Sequence, residues 1–354
     1  MTGSDDATLP RASTLAREPK RLKIALQGGG SHGAFSWGVL DRLLEDGRIE
    51  VEAIVGASAG AMNAAVTAYG LAIGGRPAAR ERLAAFWSRA SELGRAGPFQ
   101  PSPIDRLISP GNMDLSPMWR VADMLSKLLS PYELNPGNVN PLRDLLTEIV
   151  DFDRLHAAAA AVRLFVCAVN VRTGRLRVFD GAEVSADAVM ASACLPFLFQ
   201  AVEIGGEAYW DGGYCGNPPI FPVIYMGGCP DILIIQINPI NIAEVPKSAA
   251  AILDRASTLS FNCSLMREMR AIKFVSDLID RGELDPARHL RVFIHTIDAE
   301  AELTEFNVSS KFNPDMRFLR HLFELGRGKA DAFLTAHYDD LGARSSTDLA
   351  AKFL

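Results

Sequence analysis

Ser58 stands among small residues in Gly56-Ala57-Ser58-Ala59-Gly60, and upstream of it lies a second glycine-rich turn, Gly28-Gly29-Gly30-Ser31-His32-Gly33. The pair suits serine hydrolysis, in which one turn carries a nucleophile and the other offers main-chain N–H groups to developing negative charge. A G-x-S-x-G nucleophile needs a strand before it, a sharp turn at it and a helix after it. The apolar run 51–55 and the small-residue run 61–65 supply that context. Gly56 and Gly60 leave room for strand and helix backbones to approach. The amides of Gly28, Gly29 and Gly30, opening the helix that follows Gly33, are candidate oxyanion donors, with Ala59 N–H beside the nucleophile as a fourth.

The elements that must hold these turns follow from hydrophobic period. Residues 22–27 form a short apolar run feeding a helix whose Phe35, Val39, Leu40, Leu43 and Leu44 recur at helical spacing, and Gly47 stops it. The next strand, 51–55, leads into a second, small-residue helix. This repeated strand–helix unit predicts a parallel sheet. Further strands are expected at 163–169, 175–179, 202–204, 208–210, 232–237 and 290–297, and helices at 142–150, 186–193, 258–280, 315–325 and 329–338. The fold class expected is therefore α/β, a mostly parallel central sheet sandwiched between helices. Residues 1–21, polar and mixed in charge, read as a disordered tail, and 22–354 as a single domain. Residues 94–141, rich in Pro and Met, read as an insertion with one short helix near 118–129, either a candidate lid or a surface excursion whose apolar residues pack down.

The base is less direct. A conventional triad offers His289, His295, His321 and His337 by chain order, and Asp211-Gly212-Gly213, after Tyr209-Trp210, offers a carboxylate. Gly28, Gly30 and Gly33 also satisfy G-x-G-x-x-G, but the second strand ends in Gly56-Ala57-Ser58 and lacks the acidic residue that a dinucleotide ribose requires.

Taken together, Gly28–Gly33, Gly-Ala-Ser-Ala-Gly and Asp211-Gly212-Gly213, with Ala191-Ser192-Ala193-Cys194-Leu195-Pro196 before the aspartate, resemble the patatin-like phospholipase family over roughly residues 22–238. The resemblance implies a three-layer α/β/α fold, a Ser58–Asp211 dyad without a catalytic histidine, an acyl-enzyme intermediate, and lipid acyl esters as substrates. Its alternatives are a Ser-Asp-His esterase and a catalytically silent lipid- or protein-binding module of the same fold. His32 departs from the Arg or Lys frequent at its position in the family, which implies a pH-dependent charge beside the oxyanion site.

Composition bounds the partners. With 36 Lys and Arg against 42 Asp and Glu, the net charge is −6, which argues against nucleic acid and strongly anionic membranes. Five cysteines without a C-x-x-C pair indicate neither zinc ribbon nor disulfide framework. No cofactor or metal is implied. Apolar runs are too short to span a bilayer and residues 1–21 lack a signal-peptide core, so a cytoplasmic protein that touches lipid surfaces peripherally is expected.

Overall fold

The computed structural model describes residues 18–95, 97, 99–158, 162–285 and 288–354. The expected tail lies outside the described residues up to position 17. The first strand, β1 (Lys20–Leu26), begins within the remainder, its start pinned by Lys20 Nζ donating to the carbonyls of Tyr338 and Leu341 at 2.9 and 2.8 Å.

The other strands are β2 (Ile49–Gly56), β3 (Arg163–Asn170), β4 (Leu176–Asp180), β5 (Val202–Ile204), β6 (Glu207–Asp211), β7 (Asp231–Gln236) and β8 (Phe293–Asp298). They form one sheet in the order β5-β6-β3-β2-β1-β7-β8, with β4 also paired to β3. The five strands from β3 to β8 along that order run parallel, while β4 and β6 lie antiparallel to β3, and β5 to β6. The sheet is thus mostly parallel with an antiparallel margin, and that margin delivers Asp211.

The helices are α1 (Gly33–Asp46), α2 (Ala59–Arg95), α3 (Pro103–Ile108), α4 (Pro117–Leu128), α5 (Pro131–Leu134), α6 (Pro141–Ile149), α7 (Phe152–Ala157), α8 (Ala186–Ser192), α9 (Phe221–Tyr225), α10 (Ala249–Asp280), α11 (Glu300–Leu303), α12 (Met316–His337) and α13 (Leu349–Phe353). Successive strand residues face opposite layers. Ile24, Leu26, Ile54, Leu233 and Ile235 pack with α1, α2 and α12, whereas Ala25, Val55, Ile232 and Ile234 pack with Leu265 and Met269 of α10. The result is the expected α/β/α sandwich.

Two differences from the sequence expectation have local causes. The two helices expected over 315–338 are one, α12 (Met316–His337), because Gly326 serves packing: a Cβ there would strike the Phe35 carbonyl, as one on Gly38 would strike that of Phe323. Those two glycines let α1 and α12 cross at backbone contact. Among the described residues between 94 and 141, three helices (α3, α4 and α5) stand in place of one, because Ser102-Pro103, Ser116-Pro117 and Ser130-Pro131 are helix starts. Serine at the N-cap and proline at the first helical position are both favourable there, since the first amides lack intrahelical acceptors. Among the described residues no helix is long and apolar enough to cross a membrane.

Candidate active site

β2 ends at Gly56 and the chain turns sharply into α2. Ser58 takes φ 55°, a left-handed conformation shared by only one other non-glycine residue among those described. Such a conformation costs of order 1–3 kcal/mol and persists only where the surroundings enforce it. Here Ser58 N–H donates to the Ser192 carbonyl at 3.1 Å and to Ser192 Oγ at 3.0 Å, while Ala57 N–H donates to the Leu26 carbonyl at 3.3 Å. The flanking glycines are required sterically: a Cβ on Gly56 would strike Gly60, and one on Gly60 the Leu26 carbonyl.

Asp211 arrives by strand register. Gly56 pairs with Val166 across β2–β3, and Ala168, two residues further along β3, pairs with Asp211 of β6. β2 thus ends, and the Ser58 turn begins, two strands from Asp211 at the same end of the sheet, and the Ser58 hydroxyl comes near enough to act on the carboxyl. Asp211 is completely buried, and its N–H donates to the Cys194 carbonyl at 2.8 Å. Its Oδ1 accepts from Gly213 N–H at 2.7 Å. Burial pushes the carboxyl from its ordinary range up to about 7, against the lowering effects of Gly213 N–H and of the Ser58 hydroxyl. Oδ2 has no partner at full hydrogen-bond geometry among the described residues. Ser58 therefore lies close enough to influence the carboxylate without a tight bond. Gly212 and Gly213 admit no side chain, since a Cβ would strike Cys167 and Phe261.

The glycine turn is held by a lattice of amide side chains that sequence reading did not select. Gln27 Oε1 accepts from the N–H groups of Ile237 and Asn238, both at 2.9 Å, and Gln27 Nε2 donates to Asn217 and Asn262. Asn217 Oδ1 accepts from Gly28 N–H at 2.6 Å, while Asn238 Nδ2 donates to the Gly28 carbonyl at 2.8 Å. This corrects the expected donor set, because the Gly28 amide is already engaged. The amides of Gly29, Gly30 and Ala59 donate to no acceptor among the described residues. Gly28 instead serves by proximity. Its hypothetical Cβ lies 2.5 Å from Ser58 Cβ and 2.6 Å from the Ala57 carbonyl oxygen. A Cβ there would displace Ser58, so Gly28→Ala is expected to lower kcat/KM of any Ser58-dependent ester hydrolysis by about 10²-fold or more and to destabilise the fold by about 1–3 kcal/mol. Steady-state kinetics and urea unfolding of the purified variant check both.

His32 does not carry the expected pH-dependent charge. It is buried against Phe306 and Phe318, its Nε2 is 2.7 Å from Ser310 Oγ, and Nδ1 has no partner among the described residues. Burial first, and Lys311 second, push its pKa down to about 3, so it is neutral at ordinary pH. The cation near the turn is Lys311, on the 3-10 turn Val308–Phe312, whose carbonyl packs against Gly30 and whose Nζ lies 3.4 Å from Asn238 Oδ1. Its pKa is lowered by burial, offset by Asp254.

The remaining histidines sit elsewhere. His295 Nε2 donates to Asp231 Oδ1 at 3.0 Å, and its Nδ1 is 2.9 Å from Ser346 Oγ. That row has the outline of a triad, but it latches the C-terminal segment to β8, with Thr347 N–H donating to the Ile294 carbonyl. His337 pairs with Asp340, His289 with the Asp285 carbonyl, and His321 packs on Phe306. Among the described residues no imidazole contacts Ser58 or Asp211. Nor do three His, Cys, Asp or Glu side chains gather there as a metal site would require.

A family model described as patatin-like phospholipase matches residues 24–224, more than half of the chain. The chain belongs to the patatin-like phospholipase family. Membership places it among lipid hydrolases at the level of the family. The matched span contains the glycine turn, the serine elbow and Asp211. No curated protein matches by sequence. Among solved structures, VipD from Legionella pneumophila is similar at 14% identity and TM-score 0.41, over 95% of this chain and 73% of that one. The type III effector ExoU is similar at 15% identity and TM-score 0.36, over 92% of this chain and 54% of that one. Full-length ExoU in complex with SpcU, from Pseudomonas aeruginosa, gives 16% and 0.31 over 90% and 54%. The chain spans about half the length of ExoU.

Proposed function

We propose that this family member is a serine hydrolase of lipid acyl esters working through a Ser58–Asp211 dyad. The observation that carries the reading is the Asp211 carboxylate, completely buried and held near pKa 7, with Oδ2 unpartnered among the described residues beside a serine forced into a left-handed elbow. An ordinary carboxylate is a weak base, and raising its pKa toward neutrality is what allows it to take a hydroxyl proton at physiological pH.

Ser58 Oγ attacks the ester carbonyl as its proton passes to Asp211. The oxyanion accepts from the amides of Gly29, Gly30 and Ala59, and Lys311 adds positive charge near the same turn. Asp211 then protonates the departing alcohol, leaving an acyl ester on Ser58. Water giving its proton to the same carboxylate releases the fatty acid and restores the serine. Phospholipids and lysophospholipids both fit this chemistry.

A fluorophosphonate probe reports the activated serine directly. Labelling at Ser58, with loss of both label and ester hydrolysis in Ser58→Ala, is the expected result. An unlabelled chain that still binds lipid would favour the catalytically silent module.

A further inference from the structure

Among the described residues, about half of the exposed large apolar side chains lie between positions 104 and 139, a tenth of the chain. Their arrangement is inverted relative to an ordinary surface helix. In α3, Ile104, Leu107 and Ile108 recur at i, i+3, i+4 and face solvent, Leu107 at 83% exposure. In α4, Met118, Val121 and Leu128 form a second solvent-facing stripe, Leu128 at 70% exposure, while Trp119 turns inward to stack on Phe312. Globular helices place such stripes against the core, so a stripe left in water marks a surface meant to be covered.

The charges of the segment nearly balance, Arg106, Arg120 and Lys127 against Asp105, Asp114, Asp123 and Glu133, with Arg106 paired to Asp315 and Lys127 to Asp123. The surface therefore offers apolar area with little net charge. Its attachments lead to the candidate active site from both sides. Met113 N–H donates to Ser309 Oγ and Asn313 Nδ2 to the Gly111 carbonyl, tying α3–α4 to the turn that carries Ser310 and Lys311 against the glycine loop. Gln200 Nε2 donates to the Asn135 carbonyl and Ala201 N–H to Tyr132 Oη, tying α5 to the loop that runs from Cys194, the acceptor of Asp211 N–H. Phe197, in that same loop, is also exposed.

We propose that the outward stripes of α3 and α4 form a docking surface for the acyl region of an uncharged phospholipid bilayer, entered by apolar insertion rather than electrostatic attraction. The inference rests on the lipid hydrolase reading for its choice of occupant. A neutral apolar surface on an acidic chain, continuous with the rim of an ester-cleaving site, matches an interface whose exposed substrate is itself lipid.

The test uses the full chain carrying Ser58→Ala, so that binding is measured without turnover, and phosphatidylcholine vesicles in co-flotation. Binding is expected to persist from about 0.05 to about 0.5 M salt, a range over which surface electrostatics are largely screened. The pair Leu107→Glu with Ile108→Glu, and separately Val121→Glu with Leu128→Glu, should each lower partitioning about tenfold or more at unchanged melting temperature. In the chain retaining Ser58, the same pairs should leave hydrolysis of a soluble p-nitrophenyl ester intact while lowering hydrolysis of vesicle phospholipid. Unchanged vesicle binding in both pairs, or binding abolished by salt, overturns the proposal. So does a dimer that the glutamates convert to monomer, which would assign the surface to a second copy. Failure of the hydrolase reading would appear separately, as an absence of ester turnover with vesicle binding intact.

Discussion

Asp211→Asn is expected to lower kcat by about 10²–10⁴-fold, the range associated with losing a positioned general base, with the folded structure retained. The same side chain should set the pH dependence of the unmutated enzyme. With the Asp211 carboxyl held up to about 7, the base is mostly protonated in mild acid. kcat/KM should therefore climb about tenfold per pH unit below that value and flatten above it. The sign follows from chemistry: only the ionised carboxylate can accept the Ser58 proton, so activity is lost as pH falls. Histidine titration would give a step in a similar place, but His32 is neutral down to about pH 3 and the other imidazoles are engaged elsewhere. A flat profile between about pH 5 and pH 8, or a step that persists in the Asp211→Asn enzyme, would remove Asp211 from the role of base.

Much of this site was legible from residue order because its parts are short local patterns. Ser58 sits in a turn that demands glycine on both sides, and the strand and helix that frame it declare themselves by apolar run and small-residue run. Asp211 carries a weaker local signal, since Asp-Gly-Gly is an ordinary turn. Only the three motifs together singled it out, and the β2–β3–β6 pairing shows how it comes to the same end of the sheet as the Ser58 turn. What sequence could not supply is held by long-range polar contacts. Asn217 and Asn238 clamp Gly28 from positions about two hundred residues away, and nothing in their local pattern distinguishes them from loop residues. Lys311 approaches the turn from the far end of the chain, so the positive charge sought at His32 comes from another segment. The break expected between 325 and 329 has the same root, because nothing local shows that Gly326 is needed for backbone contact with α1 inside a continuous helix.

A carboxylate buried to raise its basicity should also cost the fold stability, and this gives a second measurement that does not depend on any substrate. In the unfolded chain Asp211 ionises near 3.8, the ordinary value for an aspartate, whereas in the native structure it does so near 7. The native state therefore holds its proton more tightly, and protonation favours folding. That contribution is fully present below about pH 4, declines as pH rises, and is gone once the native carboxyl has ionised above about pH 7. The separation of roughly three pKa units corresponds to about 4 kcal/mol at the alkaline end. Complete burial leaves the carboxyl unscreened by solvent. Asn cannot ionise, and its Oδ1 can still accept from Gly213 N–H. Asp211→Asn should consequently match the unmutated chain in urea unfolding near pH 4 and exceed it progressively toward pH 8, by up to about 4 kcal/mol. A buried carboxylate whose replacement stabilises the protein is what the proposed role of Asp211 as base predicts, since such a site is strained for function rather than packed for stability. Equal stability of the two proteins at pH 8 would mean that Asp211 ionises in the native state as it does in water, leaving Ser58 without a base strong enough to activate it.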